Sequence, residues 1–152
     1  LIYFSFFMLK LLSNKEKKIL LKQLQDQFSF SENLDYNFFI NSDKKIFIFN
    51  KNIDIEVSKI RVNSLGLYFA SIKEELRLSI EGSQIIGPYS KKNILDVNDS
   101  QLSVWIHGND IETEKEFHGF VLIKNKNDFY GTGKYKLGRI LNFIPKERRL
   151  KN

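Results

Sequence analysis

The 152-residue chain contains no cysteine, which excludes disulfides and thiolate metal sites. It has only two histidines, His107 and His118, eleven residues apart and without carboxylates at metal-ligand spacing. No metal ion and no cofactor is therefore expected. Glycine is sparse, eight in all, and no glycine-rich loop follows a strand and opens a helix in a βαβ unit, so a dinucleotide fold is excluded. Long apolar runs are also missing. The most apolar stretch, LIYFSFFMLKLL, is 12 residues long before Ser13. It is too short to span a bilayer and lacks the basic start and small-residue cleavage site of a signal peptide. The chain begins with leucine and its single methionine is Met8. Residues 1–7 are thus read as lying upstream of the main start, as a leader from an alternative start codon, or as a buried strand. A cytoplasmic protein with no membrane partner is the simplest expectation.

What is present is enough for a core: 42% of residues are hydrophobic and 14% aromatic. The length suits one ordinary domain or two small ones sharing an interface. The net charge of +6 and pI of about 9.4 make phosphate-rich partners plausible. That charge is unevenly placed. Residues 134–152 carry seven basic groups, Lys134, Lys136, Arg139, Lys146, Arg148, Arg149 and Lys151, against the single acid Glu147. Their local balance of +6 equals that of the whole chain, whereas residues 93–133 hold seven acids against three lysines. An evenly solvated surface would not segregate charge in this way. Tyr130, Tyr135 and Phe143, interleaved with the cations, favour nucleic acid over a small anion.

Ser13-Asn14-Lys15-Glu16 fits a capping box, and Ile19, Leu20, Leu21, Leu24 and Phe28 keep helical spacing behind it. A helix over residues 14–28 is predicted. Residues 36–40 and 45–50 flank the turn cluster Asn41-Ser42-Asp43-Lys44 and read as a hairpin that feeds Phe38, Phe39, Phe47 and Phe49 to a core. Residues 53–57 and 60–62 suit a further strand or a short helix. Residues 67–69 and 76–80 read as paired strands around Lys73-Glu74-Glu75, after which Gly82, Gly87 and Pro88 punctuate the chain. A domain boundary is placed there, dividing residues 1–88 from 89–152. Beyond it come a strand over 93–97, a short helix capped by Asp99 or Ser100 and ended by Gly108, and strands over 119–124 and 129–135 joined by the polar turn Asn125-Lys126-Asn127-Asp128. A last strand covers 139–144 and stops at Pro145. Many short strands with one short helix suggest a small barrel.

The segment NILDVNDSQLSVWIHGNDI, the strand GFVLI and the strand ending in Gly131-Thr132-Gly133 resemble a PUA domain, a small mixed β-barrel that binds RNA. With Ser64-Leu65-Gly66 and LRLSIEG ahead of it, the chain is similar to the Nip-seven family of ribosome-biogenesis factors, which place an α/β pre-PUA module before a PUA domain. The ending GTGKYKLGRILNFIPKERR resembles the C-terminal RNA-binding extension of NOL/NOP/Sun RNA cytosine-5 methyltransferases. Neither their catalytic domain nor their cysteine nucleophile is matched here. The resemblance implies an α+β fold, an N-terminal α/β pre-PUA module followed by a small C-terminal PUA mixed β-barrel. It also implies a non-catalytic RNA-binding protein acting on rRNA or tRNA in ribosome biogenesis or RNA modification. The alternative is a protein-interaction adaptor for an RNA-modifying enzyme or ribosome-assembly factor.

The expected RNA contacts are Lys134, Lys136 and Arg139 on one barrel face, Lys146, Arg148 and Arg149 as phosphate ligands, and Tyr89, Lys91 and Lys92 at the entrance to the second part. Tyr89 also suits an interdomain plug. Gly131-Thr132-Gly133 would either let a phosphate approach the backbone or form a bulge in a strand. Trp105 is expected in the core. The two histidines and the alternating Glu112, Glu114 and Glu116 are read as structural or solvated groups.

Overall fold

In the computed structural model the described residues are 9–51 and 66–152. The expectations for residues 1–7, 53–57 and 60–65 lie outside them. The N-terminal part is built on a five-stranded antiparallel sheet, β1 (Lys10–Leu11), β2 (Tyr36–Ile40), β3 (Lys45–Asn50), β4 (Leu67–Ser71) and β5 (Arg77–Leu78), in that spatial order. Helix α1 (Asn14–Phe28) starts at Ser13, whose side chain accepts the Glu16 amide while the Glu16 carboxylate accepts the Ser13 amide. The hydrogen bond donated by the Ser13 backbone N–H holds the Glu16 carboxyl below its ordinary pKa. Leu20, Leu24 and Phe28 form the buried stripe, whereas Ile19, assigned by spacing to the same face, is 53% exposed.

Alternation along β2 and β3 splits the phenylalanines between two faces of the sheet. Phe38, Ile46 and Ile48 pack with α1 and Phe69, while Phe39, Phe47 and Phe49 join Leu9 in a separate cluster on the other face.

The strand expected over 76–80 is cut short. Ser79 caps a helix, α2 (Ile80–Ile86), by accepting the Gly82 amide, and a 3-10 turn (Gly87–Tyr89) follows. Gly82 is no breaker here. A Cβ on it would lie 2.2 Å from the Phe69 carbonyl oxygen, so only glycine lets α2 sit this close to β4.

The C-terminal part contains β6 (Ile94–Asp96), α3 (Asp99–Ile106), β7 (Ile111–Glu112), β8 (Phe120–Asn125), β9 (Asp128–Lys136) and β10 (Arg139–Asn142), with a 3-10 turn at Lys146–Arg148. Its sheet order is β6-β8-β9-β10-β7, with β6 parallel to β8 and every other pair antiparallel. The sheet curls as a half-barrel, with β6 and β7 at its edges, around α3. The N-cap of α3 is Asn98, not Asp99 or Ser100, and it forms a full capping box with Gln101. The turn between β8 and β9 is likewise shorter than expected: Asn125 is buried and donates to the Val97 carbonyl.

The two faces of this second sheet do different work. Val121, Ile123 and Ile140 point inward with Trp105, Val97 and Ile111. Leu122 and Phe129 instead join the core built by α1, the N-terminal sheet and α2. Polar bonds lock the same junction. The Gln27 amide donates to the His118 and Phe120 carbonyls at 2.7 Å each, and the Asn93 amide donates to the Gln27 carbonyl. Ser83 on α2 accepts the Gly131 amide at 2.8 Å in a buried position. Ser83→Ala should leave that donor without a partner and cost about 1–3 kcal/mol, measured by chemical denaturation.

Candidate nucleic-acid interface

Strand register sets which groups share a face. On β9, Gly133 turns inward, because a Cβ there would lie 2.6 Å from Trp105, and the Tyr135 ring packs against the same core. Thr132, Lys134 and Lys136 therefore point outward. Lys134 pairs across with Phe120 and Leu141, and Lys136 with Arg139, so these residues share the outer face. One half of that face, around Thr132, is covered by the N-terminal part, and the Thr132 hydroxyl donates to the Leu78 carbonyl. The other half is open.

Where the covered half gives way to the open half, two adjoining hollows lie between the sheets. A cavity of ≈ 50 Å³ is bounded by Tyr68, Ser79, Glu81, Thr132, Phe143 and Arg148, with Arg77 at its edge. A wider hollow continues past Arg77 and Phe143 to Lys73, Glu75, Phe120 and Lys134. The Phe143 ring is 38% exposed, packs edge-on against Phe120 with centroids 5.4 Å apart, and has the Arg77 guanidinium 4.9 Å from its centroid. Among the described residues no acid pairs with Arg77.

Two of the expected contacts reach this cleft. Lys134 reaches it but is paired with Glu75, and Arg148 reaches it paired with Glu81 at 2.8 Å. Lys136 lies further along the same face, exposed and without a partner among the described residues. Arg139 sits beside it, 3.5 Å from Asp110. Lys146 is exposed on the last 3-10 turn. Arg149 turns back instead: its Nε donates to the Ile144 carbonyl and its side chain lies over Gly108, where a Cβ would come within 2.4 Å.

Tyr89, Lys91 and Lys92 are elsewhere. They follow the C-terminal end of α2, whereas the cleft touches its N-terminal end, roughly 10 Å away along the helix. Tyr89 is 57% exposed, so it is not a plug between the two parts. Lys92 is exposed and donates to the Asp26 carbonyl at the end of α1.

The glycine-flanked segment also departs from the phosphate-approach reading. Gly131-Thr132-Gly133 is buried, and the Gly131 amide is already taken by Ser83. Gly131 adopts φ +87 where β8 and β9 lose register, which is the bulge alternative. Tyr130 and Tyr135 pack against the inner core and leave Phe143 as the exposed ring of the three. Trp105 is fully buried and donates to the Tyr130 carbonyl, as expected of a core residue. His107 bonds the Ser103 carbonyl one helical turn back, and Glu112, Glu114 and Glu116 are exposed. Among the described residues no cluster of histidine, aspartate or glutamate could hold a metal ion, and no helix is long and apolar enough to cross a membrane.

Sequence reasoning missed Arg77. Its signal was available: it alternates with Leu76 and Leu78, which puts it on the outward side of a strand.

A curled sheet wrapped on one short helix, with a basic outer face, defines a class of domain, and the family comparison gives that class. Residues 92–150 match the model described as "Methyltransferase RsmF PUA domain", so this part of the chain is a PUA domain of that type. Over most of its length the chain is similar to proteins named ribosomal RNA small subunit methyltransferase F. It is 23% identical over 136 residues to that of Vibrio vulnificus (strain YJ016), covering 89% of this chain and 29% of that protein. For Aliivibrio fischeri (strain ATCC 700601 / ES114) the identity is 24% over 136 residues, covering 89% and 28%. For Vibrio campbellii it is 24% over 142 residues, covering 89% and 30%. The chain thus spans less than a third of the length of the curated relatives it matches. The family match covers a PUA domain and not a methyltransferase catalytic domain.

Proposed function

We propose that this protein is a non-catalytic RNA-binding module that holds rRNA for modification, with the RNA lying along the open outer face of the C-terminal sheet and into the cleft beside it. The observation that carries this reading is the cleft at which Lys134, Arg148 and the exposed Phe143 of the PUA-type part meet Arg77 of the N-terminal part, with Lys136 further along the same sheet face. Cations supply phosphate contacts without sequence preference, and an aromatic ring supplies stacking. The names of the relatives point to small-subunit rRNA as the RNA and to methylation as the process it serves. A cytoplasmic location accords with that role.

With ~4 to 6 phosphates contacted, log affinity for single-stranded RNA should fall with log salt at a slope of roughly −3 to −4. Fluorescence anisotropy across a salt series tests this, and binding that ignores salt would sink the proposal. Two of the cations are held by acids of the N-terminal part, Glu75 and Glu81, and RNA must compete with them. Glu75→Gln should therefore tighten binding about twofold at low salt, in keeping with an exposed pair worth under ~1 kcal/mol. The adaptor reading gains no comparable support: among the described residues of the N-terminal part the exposed large hydrophobics are Leu11, Ile19 and Leu67, on three different elements.

A further inference from the structure

We infer that the Phe143–Arg77 pair is a seat for one unpaired nucleobase, which makes the protein a reader of single-stranded rather than fully duplex RNA. This rests on the RNA-binding reading above and adds to it a site and a substrate form.

Three observations carry the inference. The first is rigidity. Phe143 follows Asn142, whose amide N–H donates to Asp110 and whose side chain donates to the Trp105 and Asn109 carbonyls and accepts the Ile144 amide. The backbone on either side of the ring is therefore fixed, and an exposed ring on a fixed backbone loses little freedom when a base stacks on it.

The second is the cation. Arg77 pairs with no acid among the described residues and so gives up no ion pair there when it meets a ligand, and its planar guanidinium stacks on bases as readily as on rings. Arg77 lies on β5 of the N-terminal sheet and Phe143 directly follows the end of β10, so the seat exists only when the two parts of the chain are docked.

The third is the floor beside them. Ser79 and Thr132 in the small cavity spend their hydroxyls on the Tyr68 and Leu78 carbonyls. Glu81 and Arg148, paired with each other, keep spare acceptor and donor capacity for the edge of a base. Neighbouring Lys134 and Lys136 then meet the flanking phosphates. A base within a duplex could not reach the ring without leaving its stack.

The test uses the intact chain and oligoribonucleotides of about 10 nucleotides, single-stranded or fully paired, with one 2-aminopurine or one abasic position. Phe143→Leu keeps the apolar bulk without the ring, and Arg77→Lys keeps the charge without the plane. The wild type should bind the single strand about tenfold more tightly than the duplex and quench 2-aminopurine. Phe143→Leu should lose about tenfold in affinity with the salt slope unchanged, and an abasic position should cost the wild type, but not this variant, a similar factor. Arg77→Lys should lose most of the quenching. Salt-dependent binding by the wild type that neither Phe143→Leu nor an abasic position weakens would overturn the seat and leave RNA binding standing. No binding by the wild type would remove both. Far-UV circular dichroism checks that each variant is folded.

Discussion

Trp105→Ala should destabilise the protein by about 3–5 kcal/mol, read as a fall in the midpoint of urea unfolding. The indole is fully buried, stands against Val97, Ile111, Val121, Ile123 and Ile140, and is the largest side chain in the C-terminal core. Its loss removes packing and leaves a cavity that the curled sheet cannot close, because Gly133, which accommodates the ring, contributes no side chain of its own. It also removes the donor to the Tyr130 carbonyl. Because the outer face of the same sheet contributes Leu122 and Phe129 to the N-terminal core, unfolding should remain a single transition rather than separate into two. A second transition in the variant would show that the two parts hold together less firmly than their shared core implies.

The second large effect concerns binding. Replacing Arg77, Lys134 and Arg148 together with alanine should weaken single-stranded RNA binding by about 100-fold at moderate salt, taking each charge-assisted phosphate or base contact as roughly 1 kcal/mol. The magnitude of the salt slope should drop by about 2. Stability should change little, since Lys134 and Arg148 lose partly exposed ion pairs with Glu75 and Glu81, and Arg77 and Lys134 lose partly exposed contacts with the Phe143 and Phe120 rings. The matched control removes the same charge elsewhere: Lys15, Lys18 and Lys22 on the exposed side of α1. If that control lowers affinity as much as the cleft variant, net charge and not the cleft governs binding.

Helix α1 was legible to the residue because two signals coincide there, a reciprocal capping box and a 3.6-residue apolar period. The β2–β3 hairpin was legible for a similar reason, since β-rich runs flank a turn cluster. Helix α2 was not. Its glycine and the following Gly87-Pro88 read as punctuation, and only the close approach of Phe69 explains why a glycine sits inside a helix. The outward set Lys134, Lys136 and Arg139 could be read from alternation, because a strand imposes it. Lys92 could not be told from a free cation, because its carbonyl partner lies at the end of α1, and Arg149 could not because its side chain folds back across the last 3-10 turn to the Ile144 carbonyl. The seat at Phe143 escaped because its ring, just past β10, and its guanidinium, on β5, meet only in the folded chain, and local sequence carries no sign of that meeting.

The most direct measurement of the central claim is ultraviolet crosslinking of the intact protein to single-stranded RNA, with the crosslinked peptides mapped by mass spectrometry. The account predicts crosslinks at Phe143 and in the peptides that carry Arg77, Phe120 and Lys134. Crosslinks concentrated at Tyr89, Lys91 and Lys92, with the cleft unmarked, would contradict it.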